Sequence, residues 1–216
     1  MKVLLVNGSP HKDGNTKRAL DEVKSALEED GIECSDFWIG NKAIIGCQGC
    51  GACRKLGKCV HEDSVNKFNE IAGEYDGYVF GSPVHYAAAS GALTSFMDRA
   101  FYSGKRSDFF MKPGAAVVSA RRGGCTATLD QLNKYFTIME MPIISSIYWN
   151  MVHAAPTPEL TAKDEEGMCT MRNLGHNMAY YIKCRDAAAK AGIELPKNEP
   201  KKGTNFLQSV YDEYNA

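Results

Sequence analysis

The chain has 216 residues, 44% hydrophobic and 24% charged, with a net charge of −1. That length fits one α/β domain able to bury a sizeable core, and the absence of a basic excess argues against nucleic acid or an anionic membrane as partner. The apolar run Val3–Val6 is too short for a signal peptide or a membrane span and no other segment is long enough, so a cytoplasmic, reducing setting is expected, in which the eight cysteines stay thiols unless a metal or a redox cycle uses them.

Lys2–Val6 is apolar and β-branched, stops at Asn7-Gly8 and reads as a buried strand. After the turn-rich stretch Gly8–Thr16, the apolar residues Ala19, Leu20, Val23, Ala26 and Leu27 form one helical face that Gly31 ends. Ile32–Ile39 reads as a second strand, Asn41–Val60 as a glycine- and cysteine-rich loop, and Asp63–Tyr75 as a helix that His61 is placed to cap. Tyr78–Phe80 is a third strand, and Ser90 reads as the N-cap of a helix carrying Leu93, Phe96, Met97 and Ala100. Ala115–Val118 is a fourth strand, followed by a helix with Leu129, Leu132, Tyr135 and Phe136. Pro142–Tyr148 reads as a fifth strand and Asp164–Gly192 as a long helix. Pro196–Asn205 reads as a linker and Phe206–Tyr214 as a short terminal helix. One domain over residues 1–195 is expected, with a cysteine-rich insertion at 41–60 and a linker and tail at 196–216. Alternating strands and helices predict an α/β, three-layer, flavodoxin-like fold with a five-stranded parallel sheet.

Ligands of open α/β sheets bind beyond the carboxyl ends of the strands, where three loops here should meet. The first, Gly8–Thr16, offers Ser9, Asn15 and Thr16 as donors beside a helix N-terminus, with His11 or Lys12 for positive charge, and suits a phosphate. It is neither a Walker loop, because Asn15 stands where lysine is required, nor a Gly-x-Gly-x-x-Gly dinucleotide loop. The second, Gly81–Tyr86, is stiffened by Pro83 and brings Val84, His85 and Tyr86 to where a planar ring would lie. The third, Ser119–Gly124, combines glycines with Arg121 and Arg122. An ordinary capped turn, a packing aromatic and a solvated basic turn are the competing readings of the three loops.

The runs Gly-Ser-Pro-x-x-x-Gly-Asn-Thr and Gly-Ser-Pro-Val-x-Tyr, with the Gly-Gly turn after the fourth strand, resemble the NADPH-dependent FMN reductase family over roughly the first 150 residues. The resemblance implies FMN as cofactor and NAD(P)H as cosubstrate. It assigns Ser9, Asn15 and Thr16 to the phosphate, and Pro83, Val84, His85, Tyr86, Ser119, Arg121 and Gly124 to the ring region. His11 departs from the arginine that many members carry there.

Cys47, Cys50, Cys53 and Cys59 fall within thirteen residues, interspersed with glycines. Four thiolates so presented suit a cubane iron–sulfur cluster; zinc, a metal-free loop of packed cysteines and a redox thiol pair are the other readings. The compact spacing resembles the iron–sulfur flavoproteins, a branch of the same group, which implies a 4Fe-4S cluster near the flavin. The segment Phe109-Phe110-Met111 with Tyr102 reads as a flavin cover or a dimer contact, and Cys125 stands beside the third loop. The leading expectation is an oxidoreductase passing electrons from NAD(P)H to a quinone, flavin or other small acceptor. The rivals are an electron carrier fed by ferredoxin and a thiol-based redox sensor. A homodimer or homotetramer is expected by resemblance.

Overall fold

The computed structural model describes residues 1–200 and 212–213. The expected terminal helix Phe206–Tyr214 lies outside these residues except for Asp212 and Glu213. The elements in chain order are β1 (Lys2–Asn7), α1 (Asn15–Glu29), β2 (Glu33–Trp38), α2 (Cys53–Leu56), α3 (Ser64–Ile71), β3 (Gly77–His85), β4 (Ala88–Ala89), α4 (Gly91–Ser103), β5 (Gly114–Ala120), α5 (Cys125–Ile138), β6 (Met151–His153), α6 (Pro158–Thr161) and α7 (Glu165–Lys190).

The main sheet runs β2-β1-β3-β5-β6, all parallel, with β4 folded back antiparallel on the end of β3. This is the five-stranded flavodoxin-like order, in which the direction of strand addition reverses after β2-β1 and leaves a crevice between β1 and β3 at their carboxyl ends. Alternation along β1 sends Leu4 and Val6 to one face and Val3 and Leu5 to the other. Leu4 and Val6 join Phe68, Phe80, Phe96, Phe109 and Phe136 beneath α3, α4 and α5. Val3 and Leu5 join Leu20, Val23, Leu174 and Met178 beneath α1 and α7. Each such fully buried side chain contributes about 1.5–3 kcal/mol.

Three expectations need correction. The fifth strand is not Pro142–Tyr148 but Met151–His153; the earlier stretch makes one bridge, Gly114 to Ile143, and leaves Ile147, Tyr148 and Trp149 exposed. Phe109 is fully buried among Phe68, Tyr78 and Phe101, so it covers neither a flavin nor a partner. Asp63, not His61, caps α3, accepting the Val65 N–H at 3.0 Å. Ser90 does cap α4, accepting from the Leu93 N–H.

Candidate functional site

Helix α1 opens at Gly14, whose missing side chain leaves the first-turn N–H groups without a cap, and its first turn carries no acidic residue. Such an end attracts an anion. The loop before it is shaped from within. Asn7 accepts the Ser9 N–H at 3.0 Å and donates to the Lys12 carbonyl at 2.9 Å, and Ser9 Oγ accepts the His11 N–H at 3.1 Å. From β2, Trp38 Nε1 donates to the Ser9 carbonyl at 2.8 Å.

The second segment is not the loop expected from Gly81: β3 runs on to His85 and folds back into β4, and this hairpin end is drawn against the first loop. Gly8 N–H donates to the Gly81 carbonyl at 2.9 Å, and Ser90 Oγ donates to the Gly8 carbonyl at 3.0 Å. A Cβ on Gly81 would stand 2.8 Å from Thr16 Cγ2 and Leu20 Cδ1, so only glycine admits α1 this close. The third loop joins them through Thr16 Oγ1 and Ser119 Oγ, 2.8 Å apart. Gly124, at φ +99°, closes on the β3–β4 hairpin, where a Cβ would lie 2.5 Å from Ala87 Cα.

The result is one open hollow of about 190 Å³ at the carboxyl edge of the sheet, lined by parts of all three segments. Ser9, His11, Asn15, Thr16, Pro83, Val84, Ser119 and Arg121 line it, and among the described residues no carboxylate does. His85 and Tyr86 stand outside it, exposed on the hairpin, where Tyr86 and Ala87 both hold positive φ, at 49° and 60°. Gly124 is a buttress behind the hairpin rather than a wall of the hollow. Asn15 spends its amide N–H on the Ala155 carbonyl at 2.8 Å, which leaves its buried Oδ1 without a partner. That oxygen suits a hydroxyl donor better than a phosphate. Trp38 and the Ala154–Ala155 stretch just past β6 carry no mark of the site in the sequence; both become visible only through the sheet order.

The cysteine loop lies elsewhere, against the C-terminal half of α4. Cys47, Cys50, Cys53 and Cys59 all border one concavity, with His61, Arg99 and Tyr102. Cys47 and Cys50 are exposed, and Cys53 and Cys59 half-buried. Among the described residues no three His, Cys, Asp or Glu side chains group tightly enough for one metal ion. A cubane binds each thiolate through a different iron, so four thiols spread along one concavity suit it better than they suit a single zinc ion.

Cys59 is the best anchored of the four. Buried Asn66 accepts its N–H at 3.0 Å and donates to its carbonyl at 2.9 Å. Arg99, 1% exposed, donates from Nε to Cys59 Sγ at 3.2 Å, from Nη1 to the Ile45 carbonyl at 3.3 Å and Asp63 Oδ2, and from Nη2 to the His61 carbonyl at 3.0 Å and Asp63 Oδ1 at 3.1 Å. Burial works against the Arg99 charge, but Asp63 and Cys59 outweigh it and hold the guanidinium protonated. Neither Arg99 nor Asn66 carries a motif that marks it in the sequence. Cys125 is buried, and burial pushes its thiol up, as expected of a packing residue. Cys34 is pushed up to about 12 by burial.

The profile of the NADPH-dependent FMN reductase family matches residues 1–156. An iron–sulfur flavoprotein of Methanocaldococcus jannaschii is 31% identical over 189 residues, covering 85% of this chain and 98% of that protein. The chain belongs to the NADPH-dependent FMN reductase family, in its iron–sulfur flavoprotein branch. Its members are FMN-binding, flavodoxin-like oxidoreductases, which agrees with an uncapped helix end facing a hollow free of carboxylates. A second iron–sulfur flavoprotein, from Methanosarcina thermophila, is 28% identical over 69% of this chain and 83% of its own length. The NAD(P)H:quinone oxidoreductase of Methanothermobacter marburgensis shares the fold, with a TM-score of 0.62 at 16% identity over 82% of this chain and 96% of its own. Among the described residues no helix of this family member is long and apolar enough to cross a membrane.

Proposed function

We propose that the chain binds FMN in the three-loop hollow and a 4Fe-4S cluster in the cysteine pocket, and transfers electrons from NAD(P)H to a quinone, flavin or other small acceptor. When bound, FMN supplies two-electron hydride chemistry and the cluster one-electron exchange. The protein's share is binding and orientation. The α1 N-terminus, Ser9 and Thr16 would hold the phosphate, with Arg121 and His11 adding charge at the rim. Asn15 Oδ1 would accept from a ribityl hydroxyl, and Pro83 and Val84 would floor the ring. No side chain is needed as acid or base. Cys47, Cys50, Cys53 and Cys59 would ligate the cluster, and Arg99 stands about 12 Å along α4 from the helix end that Ser90 ties to the first loop.

The observation that carries the reading is the meeting of three loops at one hollow that opposes no negative charge. Anaerobically purified protein, assayed by absorbance, iron and sulfide, should contain one FMN and about four irons per chain, and should oxidise NADPH or NADH when given a quinone. Protein without flavin, which gains none when supplied, contradicts the assignment.

The exposure of Cys47 and Cys50 favours a second reading, a carrier whose cluster is reduced by a ferredoxin docking at the pocket. It is supported if no acceptor sustains NAD(P)H turnover while reduced ferredoxin bleaches the protein. The chain would act in the cytoplasm as a homodimer or homotetramer, burying the exposed Ile147, Tyr148 and Trp149; sedimentation velocity checks the assembly.

A further inference from the structure

The cysteine pocket holds one group that the proposed chemistry leaves unused. Arg99 is the bulkiest fully buried side chain of the described residues. A guanidinium offers five N–H donors, and here each has a partner: two on Asp63, one each on the Ile45 and His61 carbonyls, and Nε on Cys59 Sγ. Asp63 is the carboxylate that compensates the charge, and with the two carbonyls it satisfies the outer nitrogens. The Nε bond is the one that needs explaining. A neutral thiol is a weak acceptor, so an N–H⁺ aimed at it reaches full strength only when that sulfur carries negative charge, as a metal-bound thiolate does. The Asn66 bonds to the Cys59 main chain hold that residue beside the donor.

We propose that Arg99 is a positioning residue for the Cys59 sulfur that raises the reduction potential of the cluster bound there, with Asp63 as the opposing charge that limits the rise. The proposal rests on the cluster reading above. Taking up an electron makes the ligand sulfur more negative, so a hydrogen bond and a nearby positive charge favour the reduced form. Asp63 does the reverse. The two residues touch each other, yet their removal must shift the potential in opposite directions. A merely structural clamp would not do this.

The test is an anaerobic potentiometric titration of the reconstituted holoprotein, following the cluster by electron paramagnetic resonance and using the FMN potential as internal reference. Arg99→Gln should lower the cluster midpoint. Asp63→Asn should raise it, and asparagine retains the α3 cap. Glu62→Gln removes an exposed carboxylate one residue away, paired with Lys58 at 2.6 Å, while its amide oxygen can still accept from Asn66 Nδ2, now 3.2 Å from the carboxylate; it should leave the midpoint in place. Equal-direction shifts, no shift, or a fall in Asp63→Asn overturn the proposal. Should Arg99→Gln fail to hold iron, the sign of the Asp63→Asn shift decides alone. Wild-type protein that binds no iron after reconstitution removes the cluster reading and this proposal with it, whereas normal iron content with unmoved potentials overturns only the role of Arg99.

Discussion

Two hydroxyls, on Thr16 and Ser119, join the helix end to the third loop across 103 positions of chain. Valine matches threonine in shape but cannot make that bond, so Thr16→Val should weaken FMN binding about tenfold, or roughly 1.4 kcal/mol. Fluorescence titration checks it, and an unchanged Kd would detach Thr16 from the phosphate. Gly124→Ala would place a methyl group against Ala87 at a φ of +99° and should cost about 1–3 kcal/mol of stability by denaturant unfolding. The place of Ser9 and Thr16 at the hollow was legible in the sequence because they stand between the first strand and the helix that follows it, at the carboxyl edge of the sheet. The amide of Asn15 was not, since its partner Ala155 depends on where the last strand ends, 140 residues on. Nor was Arg99. A lone arginine on an amphipathic helix reads as solvated, and only the loop folded over α4 buries it.

Helices α1 and α7 meet over the sheet through charge as well as packing. Arg18 and Arg172 bracket Glu22, and His176 and Lys183 face Asp30. Burial pushes the Glu22 carboxyl up, but the two guanidinium groups outweigh it and hold it below 4.5. The His176 hydrogen bond, aided by Lys183, holds Asp30 below 3.8. Lowered native values favour the fold above the unfolded values and lose that contribution as acid protonates the folded form. Tm should therefore hold near neutral pH and fall below about pH 4.5, and Glu22→Gln should flatten part of that fall; a profile identical to wild type would show that Glu22 contributes nothing. At this scale the helices were legible by period, and α1 and α7 match their expected limits within two residues. The last strand was not. Pro142–Tyr148 has strand composition, but Ile147 and Tyr148 point to solvent, while the true strand, Met151–His153, is too short for alternation to show.

Across the whole molecule, one helix connects the two places where redox groups would sit. Helix α4 begins at Ser90, bonded to the first loop, and carries Arg99 against the cysteines. The order of strands and helices was readable from the sequence, and it brings the three loops to one edge. The position of the cysteine loop over α4 was not readable, because nothing in its spacing names a surface to pack on. A phosphate-anchored flavin site must distinguish FMN from the same molecule without its phosphate. Equilibrium titration of flavin-free protein with FMN and with riboflavin tests that directly, since the two differ only in the phosphate. Binding of one FMN per chain, with riboflavin at least about a hundredfold weaker, is the predicted result. Equal affinity for the two, or no binding of either, would contradict it.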